Sequence, residues 1–151
     1  MSVTNNIFVL ADRYVDELAA LQPMLATQMG VPGFDGQWGT QDPSGWQDIG
    51  ALFKRTLSAI EALPPSELHR EQFGRRVLKD HLSGRLDRIE HDLPLQDLNN
   101  IASPVQGFRE TFDLMPKVGA DDWELIASRL SSLHEAVAGY IESLSEGRRR
   151  G

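Results

Sequence analysis

A heptad pattern in the last part of the chain constrains the fold most strongly. Between Asp121 and Gly147, apolar residues recur at alternating steps of three and four, at Trp123, Ile126, Leu130, Leu133, Val137, Tyr140 and Leu144. This spacing places them along one side of a helix, as in helices that pack lengthwise against other helices. Asp121 and Glu124 have the spacing of a capping box at its start. The pattern therefore predicts one long helix over residues 121–147.

The same periodicity predicts further helices over residues 6–22, 24–29, 43–63, 66–92 and 103–115. Asp42 before Pro43, and Ser103 before Pro104, have the residue types of an N-cap followed by proline at the first helical position. The predicted buried stripe of the 66–92 helix is Phe73, Val77, Leu82, Leu86 and Ile89. No useful length of chain alternates with period two. We therefore predict an all-α single domain over residues 1–151, a bundle of about five helices that is up-and-down or slightly irregular.

Composition limits the classes of partner. The net charge is -7 and the sequence contains no cysteine, which excludes disulfides and thiolate chemistry. Nucleic acid and anionic membranes both attract basic proteins, so we expect neither as a partner. No apolar run approaches the length that spans a bilayer. These features favour a cytoplasmic protein.

Candidate catalytic or metal-binding residues are incomplete. His134 and Glu135 resemble the start of a His-Glu-x-x-His zinc motif, but the second histidine position holds Ala138. Asp87 and His91 stand four residues apart, which is more typical of a charge pair on a solvated helix face than of a zinc site. We therefore assign no catalytic residue, no metal ligand and no cofactor to this chain.

A glycine-rich segment over residues 30–41 carries two large aromatic side chains, Phe34 and Trp38. Aromatic anchors of this size indicate an ordered loop rather than a flexible linker. Together with Trp46, they form the candidate ligand-binding residues of the chain.

Several short motifs resemble the N-terminal part of the bacterial family called domain of unknown function 885. They are Pro23 to Gly30, Phe34-Asp35-Gly36, Asp42-Pro43-Ser44, Ile101 to Pro104, and Asp121 through Arg129-Leu130 to Leu144 and Gly147. The resemblance implies a largely helical protein similar to zinc metallopeptidases. It also implies that zinc binds a His-Glu-x-x-His motif in a C-terminal part, which no position here matches. The chain would then be a fragment or a natural short form of the first helical segment.

Three functional hypotheses follow. The first is a non-catalytic helical scaffold that covers one wall of a substrate channel and docks with a missing C-terminal domain through an exposed apolar face. The second is a free-standing interaction module that self-associates through spare seam residues, with Trp123, Tyr140 and Leu144 as candidate interface residues. The third is a small-ligand binder built on Phe34, Trp38 and Trp46.

Overall fold

The computed structural model describes residues 6–151, and within this range it contains α-helices and one 3-10 turn but no strand. The helices are α1 (Ile7–Leu21), α2 (Pro23–Met29), α3 (Pro43–Glu61), α4 (His69–Glu90), α5 (Pro104–Leu114), α6 (Ala120–Ser131) and α7 (Leu133–Arg150), and the 3-10 turn is Leu93–Leu95. The all-α class is confirmed. The structure has seven helices in the described range, so the predicted number of about five is slightly low. None of these helices combines the length and apolar character needed to cross a membrane.

Local capping explains where several helices begin. Asn6 Oδ1 accepts the backbone N–H groups of Phe8 and Val9 and so caps α1. Asp42 Oδ1 accepts from the N–H groups of Ser44 and Gly45 at the start of α3. These bonds satisfy donors that the first turn of a helix leaves free, and they confirm the predicted cap at Asp42.

One apolar core lies between α1, α3 and α4. Its buried members include Ile7, Leu10, Tyr14, Leu18, Ile49, Leu52, Phe53, Ile60 and Leu82. On α1 these residues follow the three- and four-residue steps of an amphipathic helix. Helices α1 and α3 therefore pack as their sequence periodicity predicts, and α4 contributes Leu82 to this core.

A second core joins the glycine-rich segment to the later helices. Trp38 packs with Phe108 of α5 and with Ala136 and Tyr140 of α7. Phe108 and Phe112 both meet the Trp38 ring edge-on, at centroid distances of 5.5 Å and 5.4 Å. The loop thus contributes the central aromatic side chain of this core.

The predicted single helix over 121–147 is wrong, because the chain breaks at Ser132 into α6 and α7. Trp123 and Leu130 of the predicted seam are 55% and 57% exposed. The fully or nearly buried positions are Tyr140 of the predicted seam and four residues outside it: Arg129, Ala136, Ser143 and Gly147. Among these residues, Gly147 allows the backbone of Leu95 to approach α7 closely. The polar side chains of Arg129 and Ser143 are buried with hydrogen-bond partners. The apolar pattern therefore identified the wrong face of α6, where Trp123 and Leu130 are exposed. On α7 the seam residues do pack in the second core: Leu133, Val137, Tyr140 and Leu144.

The start of α6 also differs from the prediction. Asp122 Oδ2 accepts the N–H groups of Val118 and Gly119, at 2.8 Å and 3.0 Å. Asp121 lies within the first helical turn and is not the cap. The acidic residues still stand at the positive end of the helix dipole, as the sequence predicts.

The N-terminal half of the predicted α4 stripe is exposed. Phe73 and Val77 are 66% and 50% exposed, whereas Leu82 is fully buried. A Cβ placed on Gly74 would lie 3.3 Å from Ile7, so α4 crosses α1 at the first residue of α1. Phe73 and Val77 lie beside this crossing and not beneath it. They remain uncovered by the described residues.

Candidate functional site

Arg129 is the largest fully buried side chain in the described structure. Its Nε and Nη2 groups both donate to the Gln37 carbonyl, at 3.0 Å and 2.5 Å. Nη1 donates to Thr27 Oγ1 at 2.9 Å, and Nη2 also reaches the Pro23 carbonyl at 3.3 Å. A single side chain on α6 therefore holds α2 and the glycine-rich loop together.

The charge of Arg129 is balanced through a hydroxyl group. Thr27 Oγ1, which accepts from Arg129, lies 2.7 Å from Asp35 Oδ1 and donates to it. Burial lowers the pKa of Arg129, and the negative charge of Asp35 opposes that shift. Because a guanidinium stays protonated in proteins, the buried site contains a cation with a carboxylate one hydroxyl away.

Trp38 completes this buried site. Its indole N–H donates to the Arg129 carbonyl at 2.8 Å, and the Arg129 guanidinium carbon lies 4.9 Å from the ring centroid. The first contact fixes the ring to the α6 backbone, and the second places a cation over an aromatic face. We call Thr27, Asp35, Trp38 and Arg129 the arginine cluster.

Close backbone contacts hold the end of the glycine-rich loop against α1, and α7 against the 3-10 turn. Gly39 has a φ of +74°, and a Cβ there would lie 2.6 Å from the Leu21 carbonyl oxygen. A Cβ on Gly147 would overlap the carbonyl oxygen of Leu95. Ser143 Oγ donates to the Gln41 carbonyl, which ties α7 to the end of the loop. The end of the loop, at Gly39 and Gln41, is therefore packed against α1 and α7.

The three candidate ligand-binding residues occupy different surroundings. Trp38 is buried in the second core, and Phe34 is half-buried with its carbonyl near Arg129 Nη2 at 3.5 Å. Trp46 lies on α3 and lines a separate cavity against α4. The structure thus brings Phe34 and Trp38 to the arginine cluster and leaves Trp46 apart from them. Small-ligand binding by these residues stays a prediction.

The three candidate interface residues also differ in position. Trp123 is largely exposed, Leu144 is half-buried, and Tyr140 is buried with its hydroxyl donating to the Asp97 carbonyl at 2.6 Å. Burial raises the pKa of Tyr140, a hydrogen bond with Ser103 opposes this shift, and the negative charge of Asp97 adds to it. Of the three, Trp123 offers the most open surface.

The histidine motifs lie on exposed helix faces. His134 Nε2 is 4.0 Å from Glu135 Oε1, and both side chains face solvent next to Ala138 on the same helix. His91 Nδ1 lies 3.4 Å from an Asp87 carboxylate oxygen and 2.8 Å from the Asp87 carbonyl. Within residues 6–151, no three potential metal-binding side chains come together. The family resemblance places its zinc motif in a C-terminal part, and these exposed histidines do not supply a zinc site of their own.

The model of the family described as bacterial protein of unknown function (DUF885) matches residues 23–151. The chain belongs to the DUF885 family. No curated protein matches it significantly. The motifs that resemble this family include Thr27, Asp35 and Arg129, and all three meet in the arginine cluster. In this DUF885 chain, residues from distant motifs are therefore joined by direct hydrogen bonds.

Sequence reasoning placed Arg129 inside a family motif but did not predict its burial. Arginine is rarely buried without partners, so a helical arginine is normally assigned to the surface. The sequence did contain one indication of this burial. A glycine-rich loop that packs against helices buries backbone carbonyl groups, and these need hydrogen-bond donors from elsewhere in the protein. Arg129, with five N–H donors, supplies them.

Proposed function

We propose that this chain is a non-catalytic helical scaffold of a metallopeptidase-like protein, where it forms one wall of a substrate channel. In this proposal, the groove between α1 and α4 receives a helix from the C-terminal part of that protein. The observation that carries the proposal is the groove itself, a cavity of about 730 Å³ lined by Phe8, Ala11, Phe73 and Val77. An apolar surface of this kind is typical of a site that packs against another protein segment.

The shape and charge of the groove favour an amphipathic helix as its occupant. Phe73 and Val77 lie one helical turn apart, so their exposed side chains form a continuous apolar ridge. The polar residues of the lining are His69, Arg70 and His81, and no acidic residue is among the lining residues. A helix that presents apolar residues at steps of three and four, with acidic residues beside them, would match this surface.

The arginine cluster supports the scaffold role. Its cation is saturated by main-chain carbonyls and one hydroxyl group, so its hydrogen bonds hold helices and loop together. A family motif built on this cluster would maintain the shape of the segment. The motif residues Thr27, Asp35 and Arg129 bond to one another and to the backbone, which fits a structural role better than a catalytic one.

The test is binding in trans to the separately produced C-terminal portion of a full-length DUF885 protein. We expect Phe73→Asp to weaken binding by about tenfold or more, since it places a charge in the apolar contact. Val118→Asp is the matched control, because Val118 is 96% exposed and lies outside the groove. Equal binding by both variants would contradict the docking proposal, and peptidase activity of this chain alone would contradict the non-catalytic one.

Self-association is the second candidate function, and one observation favours it. Trp123 and Leu130 stand seven residues apart on α6 and are both more than half exposed. Two copies could pair such ridges about a two-fold axis. Light scattering would then report a dimer that Trp123→Asp dissociates and Phe73→Asp leaves intact; a monomer at all concentrations removes this candidate.

A further inference from the structure

A cavity of about 360 Å³ lies between α3, α4 and the connector that follows α4. Its apolar walls are provided by Trp46, Ile49, Ile89 and Pro94, with the buried ring of Phe53 behind them. Ligand cavities of this size typically combine apolar walls with a few polar groups that orient the ligand. The polar groups here come mainly from α4.

His81, Arg85 and Arg88 line one side of the cavity. They are spaced by four and three residues, so they share one face of α4. Within residues 6–151, neither Arg85 nor Arg88 forms an ion pair, whereas Arg75 and Lys79 of the same helix pair with Glu71 and Glu61. Arg85 is positioned by the ring of Phe53, whose centroid lies 5.7 Å from its guanidinium carbon. The helix therefore presents two guanidinium groups toward an apolar cavity.

The remaining titratable groups leave a net positive charge in the cavity. Asp97 is the one acidic residue of the lining, and its Oδ1 accepts a hydrogen bond from Asn99 at 3.3 Å. Burial and the neighbouring charge of Arg85 lower the pKa of His81, so this imidazole is neutral near pH 7. Two guanidinium groups and one carboxylate give one excess positive charge.

In a neighbouring cavity the charged side chains form ion pairs and leave no excess positive charge. It shares Trp46, Ile89 and Pro94, but its charged residues are paired: Glu90 with Lys54 at 3.0 Å and Asp92 with Arg150 at 2.7 Å. The excess positive charge is thus confined to one side of the wall formed by Trp46. Local charge of this sign is notable in a chain whose net charge is -7.

We infer that the cavity between α3 and α4 binds a small organic anion, a carboxylate or phosphate attached to a flat apolar body. The anionic group lies at Arg85 and Arg88, which offer the forked N–H geometry that suits carboxylate and phosphate oxygens. The apolar body lies against Trp46 and Ile89. This inference is independent of the scaffold proposal, because the cavity and the groove share only His81, and neither Arg85 nor Arg88 lines the groove.

The three tryptophans allow a direct test by ¹H–¹⁵N NMR of their indole groups. The protein is titrated with 3-phenylpropionate, its uncharged amide 3-phenylpropanamide, and phenyl phosphate. We expect the anions to shift the Trp46 signal, which the Trp46→Phe variant assigns. Trp38, whose N–H is bonded to Arg129, and the exposed Trp123 serve as internal references. A larger response to phenyl phosphate assigns a phosphate ligand, and a larger response to the carboxylate assigns a carboxylate.

Variants on α4 test the role of charge. Arg88→Gln should weaken anion binding about fivefold or more, whereas Arg76→Gln, an equal charge change at an exposed position outside the cavity, should leave it unchanged. Arg88 is exposed, so its replacement preserves the fold. Equal binding of the amide and the acids would overturn the inference. So would equal effects of the two variants, or the absence of any Trp46 shift at millimolar anion.

Discussion

Arg129 and Trp38 contact each other in two ways at once: the Trp38 indole donates to the Arg129 carbonyl at 2.8 Å, and the Arg129 guanidinium lies 4.9 Å from the centre of the Trp38 ring. The two residues are 91 positions apart in the chain. Their contact joins the loop after α2 to α6. The stability of that junction can be measured separately from any binding activity.

Arg129→Met keeps an unbranched side chain of similar length but removes all five donors. The Gln37 carbonyl then loses both of its hydrogen bonds from Arg129, and Asp35 loses its nearby cation. Removing one member of a buried charged network costs about 3–5 kcal/mol of unfolding free energy. Urea denaturation measures this loss.

The control for this prediction is Arg76→Met. Arg76 is exposed on α4, so its replacement should change the free energy of unfolding by about 0.5 kcal/mol or less. Similar losses for the two variants would show that Arg129 does not support the fold in the way its contacts indicate.

Thr27→Val tests whether the hydroxyl links Arg129 to Asp35. Valine has nearly the shape of threonine but can neither accept from Arg129 nor donate to Asp35. We expect a loss of about 1–3 kcal/mol in unfolding free energy, because buried polar groups lose their partners. A double-mutant cycle with Arg129→Met should show strong non-additivity, since both changes break the same network. Additive losses would mean that the two residues act independently.

Local signals made the beginnings of several helices predictable. Asn6 and Asp42 cap their helices through atoms only two or three residues away, so the relevant information lies within a short stretch of sequence. The amphipathic faces of α1 and α3 were likewise predictable, because apolar spacing decides which side of such a helix is buried.

The burial of Arg129 and Ser143 could not be predicted from apolar spacing, because it depends on polar contacts with residues that are distant in the sequence. Arg129 is buried because carbonyls from residues 23 and 37 surround it, and nothing near position 129 indicates those partners. The heptad pattern predicted that Trp123 and Leu130 would be buried, whereas the structure exposes them and buries Arg129 and Ser143. Periodicity therefore could not reveal the arginine cluster, although Thr27, Asp35 and Arg129 lie in motifs that resemble the family.

Two glycine-to-alanine substitutions should have opposite effects on stability. At Gly147 an added Cβ would overlap the Leu95 carbonyl oxygen, so Gly147→Ala should lower the unfolding free energy by about 1–3 kcal/mol. At Gly84, within α4, an added Cβ meets nothing within 4 Å, so Gly84→Ala should raise it by up to about 1 kcal/mol. Thermal denaturation of both variants checks the pair. A stabilising Gly147→Ala would show that α7 and the 3-10 turn do not approach as closely as described.

The capping carboxylate of Asp42 should make part of the stability of α3 dependent on pH. Hydrogen bonds from the Ser44 side chain and from the backbone N–H groups of Gly45 and Ser44 lower the pKa of Asp42, despite a smaller opposing effect of burial. A carboxyl group whose pKa is lower in the folded state stabilises the fold above its unfolded pKa, near about pH 4. That contribution is lost as the pH falls through the lower folded value.

Asp42→Ala should therefore cost about 1 kcal/mol at pH 7, which is typical of the loss of an N-cap. The difference between this variant and the unmodified chain should shrink as the pH falls below about 4, where the Asp42 carboxyl becomes protonated first in the unfolded chain and, at lower pH, in the folded one. Asp42→Asn is the matched variant, because its side-chain carbonyl can still accept from the first turn but does not titrate in this range. Urea denaturation between pH 3 and pH 7 measures all three chains. A cost of Asp42→Ala that stays constant over that range would show that the charge of Asp42 does not contribute to the cap.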